Sequence, residues 1–194
     1  MPSRRLTLSV AVAAALGLTL GLGSCRATYP NRQIAGEGFP PVAVRALDGA
    51  ERSLPAAVAG APAVLLLGYV QGAQFDADRW LLGLLQAELA VRIVEVPAAR
   101  GFVPWLIRGT IDGGMRAGIP AEDWGVVWTV YGEDADRLQR FTGNERPRNV
   151  RALLLDADGR VVWSHDRGYS AGTLLALRSR LAELQGATGS TGSK

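Results

Sequence analysis

Ala61-Pro62-Ala63-Val64-Leu65-Leu66-Leu67-Gly68-Tyr69-Val70 is the stretch that decides the fold. Pro62 sets off a continuous apolar run from Ala63 to Val70. A strand with one wet face alternates apolar and polar residues. A short run that is apolar on both faces belongs to a central strand covered on both sides, as in a sheet sandwiched between helices. The flanking segments fit that placement. Val91 to Val96 predicts a second buried strand ended by Pro97, and Trp124 to Tyr131 a third. Between the first two lies a helix near Arg79 to Leu89. Trp80, Leu81, Leu84, Leu85 and Leu89 share one face, and Asp76 or Asp78 is available as the cap.

Further out, Val42 to Leu47, the turn Asp48-Gly49 and Glu51 to Leu54 predict an entry hairpin. Phe102 to Arg116 predicts a helix or broken helix, with Pro104 in its first turn and Gly113-Gly114 weakening its end. Pro120 to Asp123 is a turn or short helix. Glu133 to Phe141 is a helix with acids at the positive end of its dipole, and Thr142 to Asn149 is a polar loop. Arg151 to Leu155 and Arg160 to Trp163 flank Asp156-Ala157-Asp158-Gly159, a second hairpin. Ser170 then caps a closing helix striped by Leu174, Leu177, Leu181 and Leu184. Alternating strands and helices with hairpins at both ends make an α/β mixed sheet.

The 194 residues include 21 Lys+Arg, 18 Asp+Glu, one His and one Cys, and 48% are hydrophobic, enough for one folded domain and too apolar for disorder over most of the chain. A single cysteine excludes a disulfide scaffold, and one Cys with one His cannot close a tetrahedral zinc site. No metal and no cofactor is expected. Nor is nucleic acid, because the arginines form no basic run interleaved with aromatics.

Arg4-Arg5, an uncharged run from Leu6 to Leu22, and Leu22-Gly23-Ser24-Cys25 follow one another at the N-terminus. This order resembles a bacterial lipoprotein signal peptide with its lipobox. The resemblance implies removal of residues 1–24, diacylglycerol on Cys25, and a domain in the periplasm or extracytoplasmic space, with the lipid bilayer as a partner. Arg26 differs from the Cys-Asp start of lipoproteins kept in the inner membrane, which favours the outer membrane. Removal of Arg4 and Arg5 leaves 19 basic residues against 18 acidic ones. Arg26 to Pro41 carries Pro30, Gly36, Gly38, Pro40 and Pro41; residues 25–38 are expected to form a lipid-anchored linker, residues 39–185 the domain, and residues 186–194 a flexible tail.

Three stretches carry a second resemblance: Phe39-Pro40 through the Asp48-Gly49 turn to Ser53-Leu54-Pro55, the run Ala61 to Leu67, and Leu153 to Trp163 followed by Gly168. Together they resemble the thioredoxin-like fold in its peroxiredoxin and thiol-disulfide lipoprotein branch. The implied architecture is a three-layer sandwich: a mixed sheet with an N-terminal hairpin, a C-terminal antiparallel hairpin and a closing helix. That family's Cys-x-x-Cys would fall just after Tyr69-Val70, where this chain has Gln71-Gly72-Ala73-Gln74-Phe75-Asp76. Its cis-proline would fall near Val150. The copper-carrying relatives' Cys-x-x-x-Cys is also missing. The end of the chain, Phe141 to Trp163, is reminiscent of the mitochondrial ATP synthase assembly factor family, which resembles peroxiredoxins without redox cysteines.

Thiol oxidoreductase activity is therefore not expected. The favoured function is binding of a partner protein in the cell envelope, in assembly or quality control. Candidate contacts are Gln74, Asp76 and Arg79, at the helix start, and Arg146, Arg148 and Asn149, in the loop that meets substrates in thioredoxin-like domains. Asp76 and Asp78 also fit simple capping, and the arginines a solvated loop with local ion pairs. The alternative is a small-molecule binding module or cysteine-independent enzyme using the same crevice, with His165 and Asp166 as a base and its orienting carboxylate. A strand-end histidine accounts for that pair more simply. Asp156 and Asp158 lack the further ligands of a calcium loop and fit the hairpin turn.

Overall fold

The structure, a computed structural model, describes residues 27–100, 108–118 and 121–191. Cys25 and the N-terminal segment ahead of it lie outside these residues, as do Phe102 to Ile107, the start of the helix expected from Phe102. Among these described residues, seven strands and four α-helices follow in the order β1 (Val42–Ala46), β2 (Glu51–Leu54), β3 (Ala63–Gly68), α1 (Gln74–Gln86), β4 (Arg92–Ala99), α2 (Arg108–Gly118), β5 (Trp128–Tyr131), α3 (Gly132–Thr142), β6 (Arg151–Leu155), β7 (Val161–His165) and α4 (Ala171–Thr191). The sheet order is β2-β1-β5-β4-β3-β6-β7. β3, β4 and β5 are parallel, and both end hairpins are antiparallel.

β3 is central, between β4 and β6. Its Ala63 to Leu67 are fully buried, as a two-faced apolar run requires. Alternate side chains feed two cores. Val64 and Leu66 pack with Trp80, Leu84, Leu177 and Leu181 beneath α1 and α4. Leu65 and Leu67 pack with Val44, Val94, Trp128 and Leu138 on the face that α3 covers. These are the three layers.

Several boundaries differ from the sequence expectation. α1 begins at Gln74, fed by a 3-10 turn at Gln71–Ala73, so Asp76 sits inside its first turn and caps nothing. Leu85 is exposed instead of lying on the inner face. β4 runs past Pro97 to Ala99. β3 ends opposite Pro97, at Gly68, and β4 continues against β5 alone. α2 runs through Gly113-Gly114. β5 is only Trp128–Tyr131, because Ala121–Val126 coils into a 3-10 helix whose Gly125 carbonyl accepts the Trp128 indole N–H at 2.7 Å. α4 continues through Gly186 to Thr191, so the expected tail is helical over those residues. Ser170 does cap it, accepting the Thr173 N–H at 3.1 Å.

The segment expected as a linker is bound to the domain from Ala27 onward. The Asn144 carboxamide donates to the Ala27 carbonyl at 3.1 Å, and Asn144 N–H to the Tyr29 carbonyl at 2.9 Å. Ile34 is buried in the α3-side core. The Pro and Gly content of this segment hid a few anchoring side chains spaced along it.

Candidate functional site

The loop after β3 and the loop before β6 meet at the C-terminal end of the parallel strands. Gly72 and Arg148 come together there: a Cβ on Gly72 would lie in ordinary van der Waals contact, 3.7 Å from the Arg148 Cγ. One turn on, Asp76 points inward and is 2% exposed. Its Oδ2 accepts the Val150 N–H at 3.0 Å, and its Oδ1 accepts the Tyr169 N–H at 2.9 Å and a bond from Arg79 at 3.1 Å. One carboxylate thus ties α1 to the residue before β6 and to the approach to α4. Buried backbone donors without partners cost about 1–3 kcal/mol each, so Asp76 is a structural pin.

The neighbouring arginines divide into two kinds. Arg151, 2% exposed, donates to the carbonyls of Gly143, Arg146 and Asn149 and to Asn31 Oδ1. Burial pushes its guanidinium below the usual value, opposed first by Tyr69 beneath it and then by Asp166. Arg151 and Asn31 shape the loop 143–149, and the sequence expectation gave neither that role. The available signal was a charged residue opening the buried strand Arg151-Ala152-Leu153-Leu154-Leu155. Arg146 and Arg148, by contrast, are exposed. Arg146 reaches Asp166 only at 3.8 Å, while the Asn149 carboxamide donates to the Asp166 carbonyl at 3.3 Å.

His165 and Asp166 do not work as a pair. The His165 Nε2–H donates to the Gly168 carbonyl at 3.0 Å, and the Asp166 carboxylate takes Asn31 and Arg146. His165 stacks on Trp163 at 6.0 Å, and both abut Trp80, which Tyr169 meets edge-on at 5.4 Å. The histidine belongs to an aromatic cluster holding β7 to α1. The crevice lined by Arg151, His165 and Asp166 has about 20 Å³, room for a single water. A larger hollow of about 270 Å³, lined by Arg52, Arg92 and Trp128, opens on the other face of the sheet from α1 and α4.

Gln74 is exposed and donates to Asp78 at 2.9 Å. The Glu95 carboxyl on β4 is pushed above its usual value by burial and by the Asp78 charge, against the pull of the Gln74 carboxamide. The outermost side chain of the junction is Phe75, 78% exposed. It lies between Gly72, which Arg148 overlies, and Arg79. Sequence reasoning passed it over because the helix was expected to begin later.

No protein-family model matches the sequence, and no curated protein does. Solved structures do match. BsSco, described as a member of the Sco family of cytochrome c oxidase assembly proteins, has a TM-score of 0.54 at 12% identity, over 78% of this chain and 97% of its own. The exposed lipoprotein thioredoxin Etrx1 of Streptococcus pneumoniae gives 0.51 at 12%, over 75% and 100%. Copper-bound yeast Sco1 gives 0.51 at 12%, over 78% and 94%. The stretch Gln71 to Asp76 does not fit a copper site. It offers no thiolate, and both Asp76 oxygens are engaged by N–H donors. With β3, β4 and β5 parallel at the centre and an antiparallel hairpin leading into the closing helix, this chain has the thioredoxin-like α/β fold.

Proposed function

We propose that this chain is a lipid-anchored, redox-inactive thioredoxin-like lipoprotein that binds a partner protein in the cell envelope, in assembly or quality control. The observation that carries the binding reading is Phe75. A bare aromatic ring stands on the first turn of α1, where thioredoxin-like proteins carry their thiols, with the exposed Arg79 one turn further along the helix and the exposed Arg148 against Gly72, one turn before it. Aromatic anchors within a guanidinium rim suit a partner segment with an apolar side chain and flanking carboxylates. The neighbouring polar groups are committed to holding loops, and the adjacent crevice is one water deep, so a protein surface fits this face better than a small molecule. Anchoring rests on the lipobox at Cys25. Acyl chains there would each contribute about 0.8 kcal/mol per buried methylene.

Site-specific photo-crosslinking in the native host tests the reading. A photoreactive phenylalanine at position 75 should yield one discrete adduct, sharply reduced by Arg148→Glu, while the same group at the exposed Asp158 should not yield it. Equal products from positions 75 and 158 would remove the assignment. Insulin reduction by the purified chain would overturn the redox-inactive part.

A further inference from the structure

We infer that the domain stands end-on against the bilayer, with the edge formed by Ala27, Asn144 and the loop 145–148 toward anionic headgroups. This deepens the reading above and rests on acylation of Cys25. The Ala27 carbonyl accepts the Arg100 guanidinium at 2.9 Å and the Asn144 carboxamide at 3.1 Å. One residue, Arg26, separates Ala27 from Cys25, and two residue steps span at most about 7 Å. The lipid-bearing sulfur must stay at headgroup depth. The tether is therefore too short to let the domain tumble away from the surface.

The topology fixes which end is held. Arg100 follows the end of β4, and Asn144 lies in the loop leading to Arg151. Arg151 pairs with Leu67 near the end of β3, whereas Leu155 pairs with Ala63 at its start. The anchored end is the one that carries the Phe75 face. The turn Asp156–Gly159 is at the other end, roughly 15 Å or more away along β6. Charge agrees with the placement only in part: Arg140 and Arg146 are exposed near this edge but pair with Asp136 and Asp166, so the exposed Arg148 and, at the anchor, Arg26 are the cations set against the exposed Glu145. Arginine forks suit lipid phosphates, at about 1 kcal/mol per residue near an anionic surface. A partner that reaches Phe75 then approaches along the membrane plane, so it is a membrane protein or one held at the surface.

The test uses the acylated full-length product, isotope-labelled, in nanodiscs with about one-quarter anionic lipid and a gadolinium-headgroup lipid. The Glu145 amide should relax several-fold faster than the Asp158 amide. A twenty-residue Gly-Ser insertion between Arg26 and Ala27 extends the root-mean-square reach to about 25 Å, and should collapse that difference. Equal relaxation at Glu145 and Asp158 in the parent chain, or a contrast that survives the insertion, overturns the inference. Mass spectrometry of the Cys25 peptide from the same sample separates the two levels. An unmodified thiol removes the anchoring reading and this inference together, whereas an acylated Cys25 with equal relaxation removes only the end-on orientation.

Discussion

Removing the Asp76 carboxylate should destabilise the domain far more than its place in a polar helix start suggests. Asp76→Ala leaves the Val150 and Tyr169 N–H groups without their acceptor, at 3.0 and 2.9 Å in the native protein. At about 1–3 kcal/mol for each of the two donors, the cost is about 2–6 kcal/mol. The Arg79 contact adds little, because that side chain is 61% exposed. Asp76→Asn should cost about half as much. Its amide oxygen can serve one N–H, but its NH₂ faces the other. Against a total stability of about 5–15 kcal/mol, the alanine variant sits near the threshold of folding, and the asparagine variant stays measurable. With an m-value of about 2 kcal/mol/M, a loss of about 3 kcal/mol moves the urea midpoint down by about 1.5 M. Native-state hydrogen exchange reads the same bonds directly: the Val150 and Tyr169 amides should lose protection in both variants, more than the β3 amides do. A midpoint shift under about 0.25 M for Asp76→Ala, with Val150 exchange unchanged, would refute the pin.

Three other substitutions probe the packing. Burial and Asp78 raise the Glu95 carboxyl above its ordinary 4.5, so the native state holds that proton more tightly than the unfolded chain does. The penalty is absent well below the unfolded pKa and grows as pH rises through the native one. Glu95→Gln should therefore stabilise at neutral pH, by about 1.4 kcal/mol for each tenfold difference in proton affinity between the folded and unfolded chain, and do nothing near pH 3; urea melts at both pH values check this, and a neutral-pH loss would contradict it. Gly83→Ala would place a Cβ 2.5 Å from the Tyr169 ring. It should cost about 1 kcal/mol despite the helix-propensity gain of about the same size, and turn stabilising in a Tyr169→Leu background; the sign reversal in chemical denaturation is the readout. Gly143→Ala combines φ +81° with a Cβ driven into the backbone of Pro30 and Asn31. It should release residues 27–34 to limited proteolysis before the core yields, and uniform protection would count against the packed N-terminal segment.

The architecture was legible where one physical demand dominated. Ala63 to Leu67 had to be central because no polar residue offered them a wet face, and both hairpins were announced by Asp-Gly pairs or their equivalent. Boundaries were less legible where tertiary context overrode a local signal. Pro97 sits in β4 because its pairing partner Gly68 is the last residue of β3, a fact about register that no local pattern carries. Trp128 lies in β5 while Trp124 lies in the 3-10 helix, whose Gly125 carbonyl accepts the Trp128 indole N–H, a contact no local pattern announces. The N-terminal segment looked like a tether because Tyr29, Asn31 and Ile34 are too widely spaced to form a periodic pattern. The partners of Tyr29 and Asn31, Asn144 and Arg151, lie more than a hundred residues away in sequence, and Ile34 packs into a core drawn from the whole length of the domain.

The candidate site shows the same division. Gln74, Asp76, Arg79, Arg146, Arg148 and Asn149 do gather at one end of the sheet, as the resemblance implied, but the sequence could not say which of them face inward. Asp76 and Val150 explain each other. Thioredoxin-like proteins set a proline, which has no N–H, opposite their thiols. The resemblance puts that place near Val150, whose N–H is buried and needs an acceptor, and a thiol is a poor one. A carboxylate at position 76 meets the demand and, with its other oxygen, fastens the approach to α4. With both oxygens engaged, Asp76 makes the junction a rigid mount from which the exposed Phe75 projects.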